Sequence, residues 1–159
     1  MGTTTGGNAR EESVMSADEN KAIVRQFYDE VLNKGNINMI DKITAANYVD
    51  HTAPQGMPPG KEGEKQWFKM LRAAFPDGRT TIDDIIAEGD KVVVRGTMKG
   101  THKAEFLGIP PTGKQVTISG IDVTRFVNGK SVEHWGQWDT LGMMQQLGVV
   151  PPPGQQPRK

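Results

Sequence analysis

The chain has 159 residues, of which 19 are basic, 19 are acidic, three are histidine and none is cysteine. This length suits one domain with a full core and is short for two. The balanced charge gives no overall field to attract nucleic acid or an anionic membrane. The lack of cysteine excludes disulfides, thiolate nucleophiles and thiolate metal sites.

No stretch approaches the roughly 18 consecutive apolar residues that a membrane-spanning helix needs. The N-terminal stretch MGTTTGGNAREESVMSADEN lacks the apolar core of a secretory signal. We therefore expect a soluble, cytoplasmic globular domain that binds neither membrane nor nucleic acid.

Composition predicts one folded domain over residues 16–150 between two tails. Residues 1–15 are rich in Gly, Thr and Asn without apolar periodicity, which is typical of disorder. The tail 151–159 begins with consecutive prolines, which continue neither a helix nor a central strand. Both tails are expected to be disordered.

Helical signals dominate the first half of the domain. Ser16 and Glu19 have the spacing of a capping box, and apolar residues follow at helical spacing up to a predicted helix end near residues 33–35. Two further helices and a loop rich in proline and glycine are predicted at residues 38–45 (helix), 47–60 (loop) and 62–75 (helix).

From Arg79 onward the pattern changes to β-strands. Segments rich in β-branched residues alternate with turn residues at 79–88, 90–102, 115–126 and 130–139, and a helical turn is predicted at 140–148. Helices followed by antiparallel strands indicate an α+β fold, here a cone-shaped barrel with N-terminal helices packed on a curved, mostly antiparallel sheet. Such a fold leaves a cavity of the kind that binds small molecules.

The turn at Asn128–Gly129 sets the register of the last hairpin. A two-residue turn places Asp122 opposite Trp135, whereas a three-residue loop with a bulge places Asp122 opposite Gly136. One residue of slip exchanges the two faces of the strand. In the second register one face carries Gly120, Asp122, Thr124, His134, Gly136 and Trp138.

Three segments give the chain a family likeness: FYDEVLNKGNINMIDKITAANYVDH, GTHKAEFLGIPPTGKQV and DVTRFVNGKSVEHWGQWDTLGMMQQLG. From about Glu19 to Gly148 the chain resembles the SnoaL-like polyketide cyclases (ester cyclases) of the nuclear-transport-factor-2-like superfamily. The most specific part is the GIPPTGK loop followed by the pattern R(x)3GK(x)2EHW.

This resemblance implies a homodimeric or homotetrameric enzyme without metal or organic cofactor, acting on a hydrophobic small molecule. Anthracycline members of the family close a ring by intramolecular aldol condensation of a polyketide methyl ester. The resemblance places their acid/base aspartate at Gly136 and a histidine at Asp122. In the bulged register Asp122 reaches the space that a side chain at position 136 would fill, and we expect the acid/base role there.

Aldol chemistry needs a base that removes a proton next to a carbonyl, and donors that stabilise the enolate oxygen. Asp122 is the predicted acid/base residue, and His102 and His51 are its predicted assistants. Each has a structural alternative. Asp122 would instead pair with Arg125 or Arg95, or face solvent or a dimer partner, and the histidines would be hydrogen-bonded structural groups.

Four further residues are predicted to shape the substrate site: Tyr28, Trp138, His134 and Gly136. The aromatic residues would be stacking walls or core residues, and the histidine equally suits a hydrogen bond within the sheet. Trp67 and Phe68 are predicted to be core. No metal site is predicted, because the three histidines have no ligand-like spacing.

Three functions stay open at this stage. The first is a polyketide cyclase, and the second is a dehydratase or isomerase on the same scaffold. The third is a non-catalytic binding protein. The two enzymes need at least one cavity carboxylate or histidine with a perturbed pKa, which a binding protein does not need.

Overall fold

The first helix begins at the predicted capping box. In the computed structural model, which describes residues 15–155, α1 spans Ala17–Phe27. The Ser16 hydroxyl accepts from the Glu19 backbone N–H, and the Glu19 carboxylate accepts from the Ser16 N–H at 2.7 Å. A π-helical segment, Tyr28–Asn33, extends the helix and directs the buried Tyr28 toward the sheet. The capping box and the helix end are confirmed.

The second predicted helix is too long. A 3₁₀ turn at Ile37–Met39 leads into a single-turn helix α2, Ile40–Ile43, and strand β1 covers Thr44–Asp50. Residues 44–45 were predicted as helix and residues 47–50 as loop, and both predictions are wrong because these residues belong to β1. Strand β1 pairs with residues 131–134, which are distant in sequence, so the local sequence pattern does not predict it.

The remaining elements follow the predicted order closely: α3 Gly60–Ala74, β2 Arg79–Glu88, β3 Lys91–Thr101, β4 Gln115–Val127, β5 Lys130–Trp138 and α4 Thr140–Leu147. The sheet order is β1-β5-β4-β3-β2. All neighbouring strands are antiparallel except β1 and β5, which are parallel. The α+β class and the mostly antiparallel sheet are confirmed.

Helices pack on one face of this sheet in two separate clusters. Near α1, Val24 and Tyr28 pack against Val92, Val94 and Phe126. A second cluster joins the end of α3, α4 and the far ends of β3 and β4, around Phe75, Phe106 and Met143. The space between the helices and the inner sheet face is a cavity. None of the helices described is long and apolar enough to cross a bilayer.

The last hairpin combines parts of both predicted alternatives. Asn128 and Gly129 have φ of 49° and 74°, so the turn has two residues, both left-handed, as in a type I′ turn. Val127 pairs with Lys130 across it. Further along, Val132 is an extra residue on β5, which is a β-bulge.

The bulge shifts the rest of the hairpin by one residue, so that Asp122 pairs with Gly136. The register expected from a three-residue loop therefore arises from a two-residue turn followed by a bulge. This register places Asp122, His134 and Trp138 on the inner face of the sheet, toward the cavity.

The predicted tails lie mostly outside the described residues. Of the N-terminal segment 1–15, residues 1–14 lie outside them. In the C-terminal tail 151–159, residues 151–155 form neither helix nor strand, and residues 156–159 lie outside the described range.

Trp138 lies flat across the inner face of the sheet because glycines leave room for it. A Cβ added at Gly120 would overlap the indole ring, and one at Gly96 would lie 3.4 Å from its edge. This placement directs the indole N–H to Asp122. Gly120 therefore positions a side chain of the cavity floor.

Replacing Gly120 by alanine is expected to destabilise the fold. Removing a strand glycine gains about 0.5–1 kcal/mol of backbone entropy, but forcing a methyl group into a packed site costs about 1–3 kcal/mol, so the overlap dominates. Urea unfolding should show a lower midpoint for Gly120→Ala. The control Ser119→Ala, at an exposed neighbouring position, should leave the midpoint nearly unchanged. Equal midpoints for both variants would contradict the proposed role of Gly120.

Candidate functional site

The space between helices and sheet is a cavity of about 710 Å³. Its walls are mostly apolar: Val24 and Phe27 line it from α1, Trp67 and Phe68 from α3, and Ile118 from the sheet. Trp67 and Phe68, predicted as core, thus face the cavity and are partly exposed to it. A volume of this size suits a drug-sized ligand.

The Asp122 carboxylate lies on the floor of this cavity, with three donors around it. The Tyr28 hydroxyl donates to Oδ2 at 2.6 Å. Oδ1 accepts from Nε2 of His134 and Nε1 of Trp138, both at 3.1 Å. All three neighbours can donate hydrogen bonds to the carboxylate oxygens. The alternative in which Asp122 pairs with an arginine is not what the structure shows.

His134 bridges two carboxylates. Its Nε2 contacts Asp122, and its Nδ1 lies 3.1 Å from Oδ1 of Asp50. Burial lowers the pKa of His134, but the hydrogen bonds and negative charges of Asp122 and Asp50 outweigh it and raise the pKa to about 10. The ring is therefore an imidazolium at neutral pH, with both N–H groups donated.

Asp50 is fixed by the chain that follows it. Its Oδ1 accepts from the backbone N–H of Thr52 at 2.9 Å and from the Thr52 hydroxyl at 3.0 Å. The Thr52 hydroxyl in turn accepts from the N–H of Gly136 at 2.9 Å. Burial raises the pKa of Asp50, but the hydrogen bonds from His134 and Thr52 prevail and lower it below its usual range.

Gly136 leaves the space that Asp122 and His134 occupy. A Cβ at position 136 would lie 2.7 Å from Oδ1 of Asp122 and 2.9 Å from Cε1 of His134, both closer than real contacts allow. The expectation that Asp122 fills the space in front of Gly136 therefore agrees with the geometry. The floor has room for one carboxylate at this point.

Two predicted assistants lie outside the cavity. His51 is on the outer face of the sheet, where it stacks on Trp135 at 4.7 Å and hydrogen-bonds Glu133 at 3.0 Å. His51 follows β1 directly, and the alternation of a strand sends its side chain to the face opposite Asp50. The predicted homodimer or homotetramer stays a prediction.

His102 is fully buried beside the GIPPTGK loop and does not line the cavity. Its Nδ1 accepts from the backbone N–H of Thr112 at 3.2 Å, and its ring stacks on Phe75. The ring therefore holds this loop against the core. The geometry favours the structural alternative for His102.

Three titratable cavity residues were missed by the sequence prediction: Asp50, Glu64 and Tyr48. Glu64 lines the cavity from α3, and Tyr48 lines it from β1. A signal for Glu64 existed, because residues 64, 67, 68 and 71 recur at the helical spacing of one face, so this glutamate shares the apolar face of its helix. Tyr48 had no such signal, because β1 itself was not predicted.

The hydroxyl of Tyr48 is a free donor in the cavity. No side chain or backbone group of the described residues hydrogen-bonds it, although the residue is only 6% exposed. Burial raises the pKa of Tyr48, and the negative charges of Glu64, Asp50 and Asp122 raise it further. The hydroxyl therefore stays protonated and can donate a hydrogen bond to a ligand oxygen.

The raised pKa of His134 predicts a pH-dependent stability. A group with a folded pKa of about 10 and an unfolded pKa of about 6.5 contributes its full stabilisation below pH 6.5 and loses it as pH rises through 10. The free energy of unfolding of the wild type should exceed that of His134→Gln most at pH 6.5. This difference should shrink toward pH 10 in urea titrations.

His51→Gln is the matched control, since it removes a histidine from the outer face. Its difference from the wild type should not shrink between pH 8 and pH 10. A constant difference between wild type and His134→Gln over that range would show that His134 is not held as a cation.

Comparison with known proteins identifies a family that this chain resembles. The chain matches SnoaL-like polyketide cyclase over residues 22–147. It is 26% identical to nogalonic acid methyl ester cyclase of Streptomyces nogalater over 118 residues, which cover 73% of this chain and 88% of that protein.

Solved structures agree with the family match. A candidate polyketide cyclase from Acidithiobacillus ferrooxidans is 39% identical, with a TM-score of 0.72 over 84% of this chain and 98% of its own. TsrD from Streptomyces laurentii is 26% identical, with a TM-score of 0.79 over 86% of this chain and 99% of its own. These likenesses confirm the predicted cone-shaped fold of helices on a curved sheet.

A shorter likeness points elsewhere. Over 67 residues the chain is 38% identical to DNA-binding protein HU-alpha of Escherichia coli, which covers 74% of that protein but 40% of this chain. The SnoaL-like match covers about twice that length and is accompanied by a matching fold along the whole domain. The chain therefore belongs to the SnoaL-like polyketide cyclase family.

Proposed function

We propose that this chain is an acid/base enzyme that cyclises a hydrophobic carbonyl compound, of the polyketide methyl ester class, without a metal or organic cofactor. The observation that carries this proposal is the position of Asp122. Its carboxylate lies on the floor of an apolar cavity of about 710 Å³, in the space in front of Gly136. The family resemblance assigns the acid/base aspartate to that place.

In the proposed reaction Asp122 removes a proton from the carbon next to a carbonyl, and the electron pair of the C–H bond forms the enolate. The enolate carbon then attacks a second carbonyl carbon of the same molecule. A carbon–carbon bond forms, the C=O π bond breaks, and the new alkoxide oxygen takes up a proton. Proton transfer by a positioned group accelerates such steps by about 10²- to 10⁴-fold.

The neighbours of Asp122 have separate roles in this proposal. His134 is a positioning residue, because its imidazolium fixes Oδ1 of Asp122 and balances the carboxylate charge. The Tyr48 hydroxyl is the donor for the enolate oxygen, since it is protonated and has no protein partner among the residues described. The aromatic walls suit a flat, hydrophobic substrate.

An alternative is a dehydratase or isomerase with the same proton acceptor. It is favoured by Glu64, a carboxyl group in the cavity that also holds the acceptor Asp122, because burial raises its pKa to about 7 and so lets it hold a proton. Loss of water needs such a donor, because the departing hydroxide takes up a proton. Both enzymes need titratable cavity groups with a perturbed pKa. The pKa of His134 and the pKa of Glu64 are both raised.

The first test is turnover of an anthraquinone-type polyketide methyl ester, with ring closure followed by absorbance. The wild type should cyclise it, and Asp122→Asn should lower kcat by about 10²- to 10⁴-fold, because an amide cannot accept the proton. The control Asp84→Asn removes an exposed carboxylate that pairs with Arg95 and should keep wild-type kcat. Full activity in Asp122→Asn would refute the role of Asp122.

Binding of the ring-closed product distinguishes the remaining functions. If wild type and Asp122→Asn bind it equally well and neither turns the ester over, the chain is a binding protein or acts on a different substrate class. Ring closure by the wild type that is lost in Asp122→Asn, with binding retained, identifies a cyclase.

The role of Tyr48 has its own test. Tyr48→Phe should lower kcat by about 10²- to 10³-fold, as loss of one oxyanion donor does, and should leave product binding nearly unchanged. Since the hydroxyl has no protein partner among the residues described, the melting temperature should not fall. A variant with wild-type kcat would show that the hydroxyl does not stabilise the enolate.

A further inference from the structure

Glu64 is a further carboxyl group in the same cavity, on a different wall from Asp122 and Asp50. It lies on α3, on the face that also places Trp67, Phe68 and Leu71 in the cavity wall. The hydroxyl of the fully buried Thr44 donates to Oε2 of Glu64 at 2.8 Å. That bond fixes the carboxyl group and leaves Oε1 without a protein partner among the described residues.

The surroundings of Glu64 differ from those of Asp122. No salt bridge among the residues described includes Glu64, and its single side-chain donor is a neutral hydroxyl. The neighbouring Glu62 on the same helix is 76% exposed and contacts Lys65. Glu64 is therefore a carboxyl group with little to hold it in the charged form.

Burial and four neighbouring groups set the pKa of Glu64. Burial is the largest influence and raises the pKa of Glu64 to about 7. The hydrogen bond from Thr44 and the positive charges of His134 and Lys61 lower the pKa, and the negative charge of Asp50 raises it. At neutral pH a substantial fraction of Glu64 carries a proton, which is the state of a general acid.

We propose that Glu64 is the proton donor of this cavity, acting on the substrate oxygen while Asp122 acts on carbon. This inference rests on the proposed function. After Asp122 has accepted the carbon-bound proton and the ring carbon–carbon bond has formed, the alkoxide oxygen takes the proton of the Glu64 carboxyl group. Glu64 is left as a carboxylate and Asp122 as an acid, and proton exchange with water restores both.

The different surroundings of the two carboxyl groups support these separate roles as proton acceptor and proton donor. The donors around Asp122 are partners for carboxylate oxygens, whereas Glu64 has one free oxygen and no ion pair among the residues described. Two carboxyl groups in different environments can act as base and acid at one pH. A ligand that fills the cavity contacts both walls, since both residues line it.

The test compares Glu64→Gln with Glu62→Gln by kcat for the anthraquinone-type polyketide methyl ester between pH 5 and pH 9. Glutamine keeps an oxygen for the Thr44 hydroxyl and nearly the same volume, so the fold should be retained. The wild type and Glu62→Gln should lose kcat as pH rises through about 7. Glu64→Gln should be about 10²- to 10⁴-fold slower at pH 6 and should lack this decline.

The outcomes separate the two proposals. If Asp122→Asn is inactive while Glu64→Gln keeps wild-type kcat and the same decline with pH, the role of Glu64 is refuted and the proposed function stands. If the wild type does not turn the ester over, the proposed function fails for this substrate class, and a binding measurement then decides the role of Glu64.

That measurement is the affinity for a hydroxyanthraquinone, which offers oxygen acceptors to a protonated carboxyl group. The wild type should bind it more tightly at pH 6 than at pH 8, and Glu64→Gln should bind it equally at both. An affinity of the wild type that does not change with pH would overturn the assignment of Glu64 as donor, whatever the turnover.

Discussion

The chain of contacts from Asp122 through His134 to Asp50 is the constraint on which the site depends. It ties together β4, β5 and β1, the three strands at one side of the sheet. Charges taken out of water are stable only when they are paired and hydrogen-bonded. Here one imidazolium serves two carboxylates, so removing His134 leaves two carboxylates without a cation in a largely apolar space. The register of these strands therefore determines which polar groups meet on the cavity floor.

Glycines and a bulge make that solution possible. The extra residue Val132 brings Gly136 opposite Asp122, and the missing side chain at Gly136 leaves room for the carboxylate and imidazole. Gly120 similarly admits the Trp138 ring, whose N–H completes the donors around the carboxylate. At each of these glycines a neighbouring side chain fills the space that a Cβ would take. The polar floor therefore follows from close packing and not from loop flexibility.

Local patterns in the sequence predicted most of the fold and part of the site. The capping box, the strand alternation and the Asn128–Gly129 turn are local, and each appears at its expected place. Strand β1 was not predictable in this way, because its pairing with β5 joins residues as distant as Thr44 and Ser131. The same non-local pairing decides that the side chain of His51 points away from the cavity. Glu64, by contrast, was readable as a carboxylate on the apolar face of a helix.

The positions of the carboxylates also explain why this chain differs from the pattern that its family resemblance implies. An aspartate at position 136 would place a second carboxylate in contact with Asp122, and two such groups cannot both be ionised at low cost. The carboxylate at 122 and the glycine at 136 are therefore coupled, since each permits the other. An acid without an imidazolium contact lies on another wall of the cavity. Helix α3 provides that wall, and Glu64 is the carboxyl group that it directs into the cavity.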